Sequence, residues 1–244
     1  MIPNLAVQDV VVYGTGGTAR DILESLEDSN ADRRQWNILG FLDDNPEMRG
    51  RAVMGYAVLG GGEALEALPA LRSTKVVLGM ANDRNLLVRK TVRARLGLAA
   101  DPFPVIVHPL AVVSRHSQIG EGTVSLSSSV CSNHATVGRH VVVLQSTVIA
   151  HDAVVGDYAT FSSNIATGGS FRIGEGSFVG LGASILPGVV IGSLSRIGMG
   201  AIVIRSVPDG ATVVGNPARD QSVLWARKMS LRIPGEPAAP VGAT

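Results

Sequence analysis

The acid–base material of this chain is concentrated at a few regularly spaced positions. His116, His134 and Asp152 stand eighteen residues apart, and Arg115, Asn133, His151 and Gly169 keep the same interval one position earlier. An imidazole titrates near neutrality and can take a proton from an attacking amine or hydroxyl, while a carboxylate beside it can orient the ring and stabilise its cation. His151 is followed directly by Asp152. Gly169, one interval further on, leaves backbone where an N–H group can polarise a carbonyl. Three readings share these residues: solvated surface histidines, a metal array and a general base. A second chemistry lies near the start of the chain, where Gly14-Thr15-Gly16-Gly17-Thr18-Ala19 follows a Val-rich run and fits a loose G-x-G-x-x-G/A pattern. Such a loop lets the backbone approach a diphosphate and offers it the N–H groups of a helix N-terminus. Asp43 and Asp44 end the next apolar run, where carboxylates can accept hydrogen bonds from a ribose or a base edge. Cys131 is the single cysteine.

The interval of eighteen comes from an internal repeat. Stepping by six from Val113 to Val203 meets sixteen positions, of which twelve are Val or Ile and only Ser125 and Thr167 are plainly not apolar. Small residues precede many of them by two, and Gly follows in eight cases; Gly120, Gly138, Gly156, Gly174 and Gly192 recur every eighteen. A period of six inside a period of eighteen means three short strands per coil, so residues 107–219 are expected to form a left-handed parallel β-helix, a triangular prism of hexapeptide repeats. Alternation along a strand sends the β-branched residue and the small one inward, and the glycine is expected to permit the corner turn. His116, His134, His151 and Asp152 then share one edge of the prism and His140 lies on another. Cys131 falls on an inward position, which makes it core rather than nucleophile.

Residues 1–106 alternate strand and helix patterns: Asp9–Tyr13, a helix over Thr18–Glu27, Ile38–Leu42, Lys75–Gly79, and a helix over Arg84–Leu98 capped by Asn82 or Asp83. They predict an α/β domain with a small parallel Rossmann-like sheet, about half of a dinucleotide fold. Pro102, Pro104 and Pro109 mark the passage into the repeat. Residues 220–244 are expected to give a terminal helix over Gln221–Leu231 and a disordered tail.

Composition removes several classes. With aromatics at 4%, charged residues at 17% and a net charge of +1, the chain has neither the basic surface nor the stacking residues of a nucleic-acid binder. Only eight charged residues lie between Val107 and Ile204, which suits a solenoid that stacks on itself and associates with copies. No long apolar run reads as membrane-spanning and Met1-Ile2-Pro3-Asn4 lacks signal-peptide character, so a cytoplasmic protein without membrane partners is expected.

The combination resembles a family. Val148-Ile149-Ala150-His151-Asp152-Ala153-Val154-Val155-Gly156-Asp157, together with Tyr13–Gly17, Gly40–Asp44, Gly55–Gly61 and Val214-Gly215-Asn216-Pro217-Ala218-Arg219, is similar to the bacterial sugar O-/N-acyltransferases related to sialic-acid O-acetyltransferase. The resemblance implies an enzyme of glycan biosynthesis that acetylates the amine of a nucleotide-linked amino sugar with acetyl-CoA as co-substrate and no metal. It also implies a homotrimer with acetyl-CoA between neighbouring β-helices. His151 matches the catalytic base and Asp152 its acidic neighbour. Gly168, Gly169 and Gly180 match the coenzyme contacts. Gly14, Thr15, Gly16, Gly17, Thr18, Asp43, Asp44 and His134 match the substrate side. The chain departs from the family at Thr18 and Thr160, where histidines are common, and at Leu144, where Asn is common. Transfer to a hydroxyl, transfer of another acyl group such as formyl, and a non-catalytic trimer that binds nucleotide sugars remain alternatives. Metal ligands spaced as in the γ-class carbonic anhydrases, which share the prism, are not reproduced.

Overall fold

A computed structural model describes residues 6–67, 73–98 and 102–223. In the N-terminal unit β1 (Gln8–Tyr13) lies between β2 (Trp36–Leu42) and β5 (Lys75–Leu78), all parallel. A two-residue hairpin, β3 (Ala52–Val53) and β4 (Tyr56–Ala57), follows β2. Helix α1 (Gly17–Asp32) packs Ala19, Ile22, Leu23 and Leu26 onto the sheet with none of their surface exposed. It starts one residue before the expected span and runs five beyond it. The second helix, α2, is shorter than expected, Val88–Leu96, and ends at Gly97 in the left-handed conformation. Asn82 caps a turn instead, its side chain accepting from the amides of Arg84 and Asn85.

From Ile106 onward the chain winds into the expected prism. The first face stacks six strands from Val112–Val113 to Ile202–Val203, and the second stacks five from Gln118–Ile119 to Val190–Ile191. The third runs from Ile106–Val107 through Val124–Ser125, Val142–Val143 and Thr160–Phe161 to Arg196–Ile197, and closes with Thr212–Val214 and antiparallel Arg219–Asp220. Register is eighteen from Ile106 to Val203, as in Cys131↔Ile149 and Val137↔Val155, and shortens to sixteen in the closing turn, where Arg196 pairs with Thr212 and Ile191 with Val207. The strand Ile106–Val107 straddles the expected boundary between the two units, and most of the expected terminal helix and the tail lie outside the described residues.

The interior is filled as the hexads require. Val, Ile and Ala side chains form one continuous core with Phe161 and Phe171, whose rings meet edge to face at 6.2 Å. Inward polar residues are satisfied between coils: the Thr147 hydroxyl donates to the Ser162 carbonyl at 2.6 Å, and that of Thr167 donates to the Val148 carbonyl at 2.9 Å. Cys131 is buried in this core, and burial raises its thiol pKa. The recurrent glycines have a different reason from the one expected. Gly120, Gly138, Gly156, Gly174 and Gly192 do not have positive φ. They are needed because the next coil passes too close: a Cβ on Gly156 would lie 2.6 Å from the amide nitrogen of Glu175. The left-handed positions fall two residues later, where His140 (φ 53) and Tyr158 (φ 60) stand in column with Gly122 and Gly176.

The N-terminal unit covers the third face. Val10, Val12, Ile22, Leu26 and Phe41 share a cluster with Ile106, Val124 and Leu126, and the outward Val142 and Thr160 are buried. The edge between the first and second faces, which carries His151, is therefore opposite the face on which this unit sits.

Candidate functional site

The corner after Val148–Ile149 is held by main-chain bonds to the coils on either side. The Asp152 amide donates to the Asn133 carbonyl at 3.1 Å, and the His151 carbonyl accepts from the Ser170 amide at 2.8 Å. Asp152 takes φ 57 there. This brings the neighbouring side chains together, and His151 Nδ1 lies 2.7 Å from Asp152 Oδ2. A carboxylate can only accept, so in the neutral imidazole this contact selects the tautomer with the proton on Nδ1 and a lone pair on Nε2. The two side chains are 59% and 54% exposed, so the lone pair is open to a ligand. Beneath the ring lies Gly169, where a Cβ would stand 2.3 Å from His151 Cε1 and 2.5 Å from Nε2. Its neighbours donate their amides to Ile185 and His151 carbonyls, while the Gly169 N–H has no acceptor among the described residues. A base and an unused backbone donor thus stand side by side.

The same edge carries the exposed pair His116 and His134, with ring centroids 5.9 Å apart. His134 thus shares the edge of His151, as the repeat predicts, and lies away from the glycine loop of the N-terminal unit. Gly168 adjoins Gly169, and a Cβ there would strike Pro187 of the next coil. Gly180 lies on a different edge, between the third and first faces, and is likewise required by stacking, with Met199 N 2.7 Å from its would-be Cβ. Among the described residues no group of three or more His, Cys, Asp or Glu could hold a metal ion.

In the N-terminal unit the glycine loop joins β1 to α1. Gly14 (φ 102) makes the turn and donates its amide to the Leu42 carbonyl at 2.7 Å. Gly16 is the N-cap residue of α1 with no side-chain cap, and Cβ atoms at Gly16 or Gly17 would meet open space. The first amides of α1, from Gly17 and Thr18 on, are the orphan donors of a helix N-terminus. Thr15 Oγ1 donates to Asp43 Oδ2 at 2.6 Å, tying the loop to the end of β2. Asp44 turns the other way and accepts from Tyr13 Oη and Arg95. Burial opposes its ionisation, but the Tyr13 and Arg95 hydrogen bonds hold its carboxyl below the usual range. Burial, with Asp44 adding to it, raises the Tyr13 pKa. A hollow of about 410 Å³ adjoins this triad, lined by Asp44, Gly62, Glu63, Glu66, Arg95 and Leu98.

Sequence reasoning assigned no role to Arg95, Tyr13 or Arg89. Arg89 is buried at 2% exposure, its guanidinium spent on carbonyls of both units. The signal for it was present: it precedes Val92 by three and Leu96 by seven, on one helical stripe. The departures at Leu144 and Thr160 belong to this seam. Leu144 packs on the core of the N-terminal unit, and the Thr160 hydroxyl accepts from Arg89 at 2.9 Å. His140, on its separate corner, is a core residue stacked on Tyr158 at 5.2 Å and edge-on to Phe103 at 5.0 Å. Burial, with Arg93, Arg89 and Arg139 nearby, pushes its pKa down to about 4.

Comparison with known proteins matches residues 9–94 to the PglD N-terminal domain family. The chain is 32% identical over 127 residues to the UDP-N-acetylbacillosamine N-acetyltransferase of Bacillus subtilis (strain 168), a match covering 50% of this chain and 52% of that one, so it spans about half the length of this curated relative. Among solved structures, the acetyltransferase domain of PglB from Neisseria gonorrhoeae FA1090 is 30% identical and superposes with a TM-score of 0.75 over 87% of this chain and 99% of its own. PerB from Caulobacter crescentus, in complex with CoA and GDP-perosamine, is 28% identical with a TM-score of 0.76 over 89% and 99%.

Proposed function

We propose that this chain, which belongs to the bacterial sugar acyltransferases that join a PglD N-terminal domain to a hexapeptide β-helix, transfers an acetyl group from acetyl-CoA to the amine of a nucleotide-linked amino sugar. The observation that carries this reading is the exposed His151–Asp152 pair standing over Gly169. Asp152 holds Nδ1–H, so Nε2 accepts the proton of the amine as its nitrogen attacks the thioester carbonyl. The Gly169 N–H, which has no other partner among the described residues, donates to the carbonyl oxygen as negative charge develops on it. As the new C–N bond forms and the C–S bond breaks, the imidazolium returns the proton to the departing thiolate. Asp152 stabilises that cation in the interval.

Acetyl-CoA enters as co-substrate along the first face, whose two edges carry Gly168 with Gly169 and Gly180. The nucleotide diphosphate is held by the backbone of Gly14, Thr15, Gly16, Gly17 and Thr18 at the start of α1, with Asp43 and Asp44 beside it. Within one chain the unit that carries this loop packs on the third face while His151 occupies the opposite edge. The acceptor amine and the base therefore come from different copies of the chain, which is the physical reason for an oligomer, read here as a homotrimer. His134, beside the base, then contacts the sugar bound by a neighbour.

Thiol release from acetyl-CoA, followed across UDP-, GDP- and dTDP-linked amino sugars, tests the proposal. Release that depends on one amino sugar supports it. Tight nucleotide binding without release from any sugar refutes it in favour of a binding module.

A further inference from the structure

Arg89 is the only buried Lys or Arg among the described residues, and no carboxylate faces its guanidinium. Its nitrogens go instead to oxygens on three pieces of structure. Nε donates to the His140 carbonyl at 3.0 Å, on one coil of the prism. Nη2 donates to the carbonyls of Tyr158 and Ala159 and to Thr160 Oγ1, on the coil above. Nη1 donates to the Met80 carbonyl at 2.6 Å, in the segment that follows β5. Met80 is the residue that lies against the nucleotide loop, since a Cβ on Gly14 would meet Met80 Cγ at 3.4 Å. Elsewhere the seam is apolar in its interior, Val124 and Leu126 against Ile22, Leu26 and Phe41, while Lys90–Glu175, Arg93–Glu121, His108–Asp28 and the Arg196 Nε bond to the Asp83 carbonyl cross it, each with at least one partner that is not buried. Apolar burial holds surfaces together but is non-directional and tolerates sliding and rotation. A planar guanidinium with acceptors on two coils and a third on the other unit permits neither.

We propose that Arg89 is a positioning residue: by joining two coils of the β-helix to the residue that backs Gly14, it sets the orientation of the nucleotide-sugar loop on the prism and, through it, the place of the acceptor amine relative to the base. The part that concerns turnover rests on the acetyltransfer reading; the docking does not. The Thr160 departure from the family becomes part of the device, because its hydroxyl is one of the acceptors.

The test uses the full-length chain with Arg89→Met and, should that variant fail to fold, Thr160→Val, which removes a single acceptor. Three quantities are read: the affinities for the nucleotide sugar and for acetyl-CoA by calorimetry, kcat, and amide exchange at residues 79–81 and 158–160. Arg89 touches neither the glycine loop that holds the diphosphate nor the first face along which acetyl-CoA lies, so both affinities stay within about two-fold while a displaced acceptor lowers kcat ~10-fold or more in Arg89→Met and ~3-fold in Thr160→Val. Exchange in the two segments accelerates in both variants. Unchanged kcat and exchange, or a loss of kcat matched by an equal loss of nucleotide affinity, overturns the proposal. If the wild-type chain transfers acetyl to no sugar, the functional reading fails by itself, and the exchange of Arg89→Met still decides the docking role, with wild-type exchange overturning it.

Discussion

Replacing Gly169 by Ala probes the candidate site while leaving the identity of each of its side chains unchanged. The position has ordinary φ, so alanine brings no backbone strain. What it brings is a methyl 2.3 Å from His151 Cε1 and 2.5 Å from Nε2, well inside contact distance. The corner backbone is fixed by inter-coil bonds on both sides, through Ser170 N to the His151 carbonyl and Gly188 N to the Gly169 carbonyl. The half-exposed imidazole must give way, and swinging outward it leaves Asp152 and the point where the attacking nitrogen would stand. Loss of a general base costs 10²–10⁴ in rate, and a ring displaced but still present falls near the lower bound, so kcat is expected to drop ~10²-fold, about 2.7 kcal/mol in barrier. Because the ring moves into solvent rather than into the core, unfolding free energy should change by less than about 1 kcal/mol. Thiol release under saturating substrates gives the first quantity and a urea titration the second. Turnover within ~3-fold of wild type would refute the view that His151 must lie over Gly169 to act.

Two further outcomes follow from the seam and from the split site. His140 is neutral when folded because its pKa is about 4 against an ordinary 6.5, so the unfolded chain takes up protons first as pH falls. Its contribution to stability is intact above pH ~6.5, is lost between there and pH ~4, and amounts to at most about 3 kcal/mol. His140→Phe, which keeps a ring on Tyr158, should therefore flatten the pH dependence of urea unfolding between pH 7 and 4.5, whereas an unchanged slope would contradict the assignment. Co-expression of His151→Ala with Asp43→Ala chains should yield mixed oligomers more active than either variant alone, since one interface then holds an intact loop and an intact base. Mixed oligomers no more active than the better variant would place the whole site in a single chain.

The architecture was legible because the repeat is periodic: Val113 to Val203 in steps of six predicts each inward position, and the observed register keeps the interval of eighteen. The same ruler put His116, His134, His151 and Asp152 on one edge. It did not show why glycine follows the inward residue, since contact between successive coils depends on a stacking distance that composition does not reveal. Nor could it show that Asp152 reaches the ring of its neighbour, because that depends on the left-handed turn at the corner. The seam was less readable still. Arg89 received no role, because a helical stripe does not say that a cation on it is buried, and Leu144 and Thr160 looked like lost site residues until the N-terminal unit was seen to cover them. Asp44 was read with Asp43 as one acidic pair, yet its carboxylate turns to Tyr13 and Arg95 while that of Asp43 turns to Thr15.

The central claim is that the His151 imidazole removes a proton from the attacking group. Its most direct measurement is kcat for His151→Ala against wild type with acetyl-CoA and the preferred amino sugar. A fall of ~10²-fold or more with both substrate affinities retained is the predicted result, and turnover within ~3-fold of wild type would contradict it.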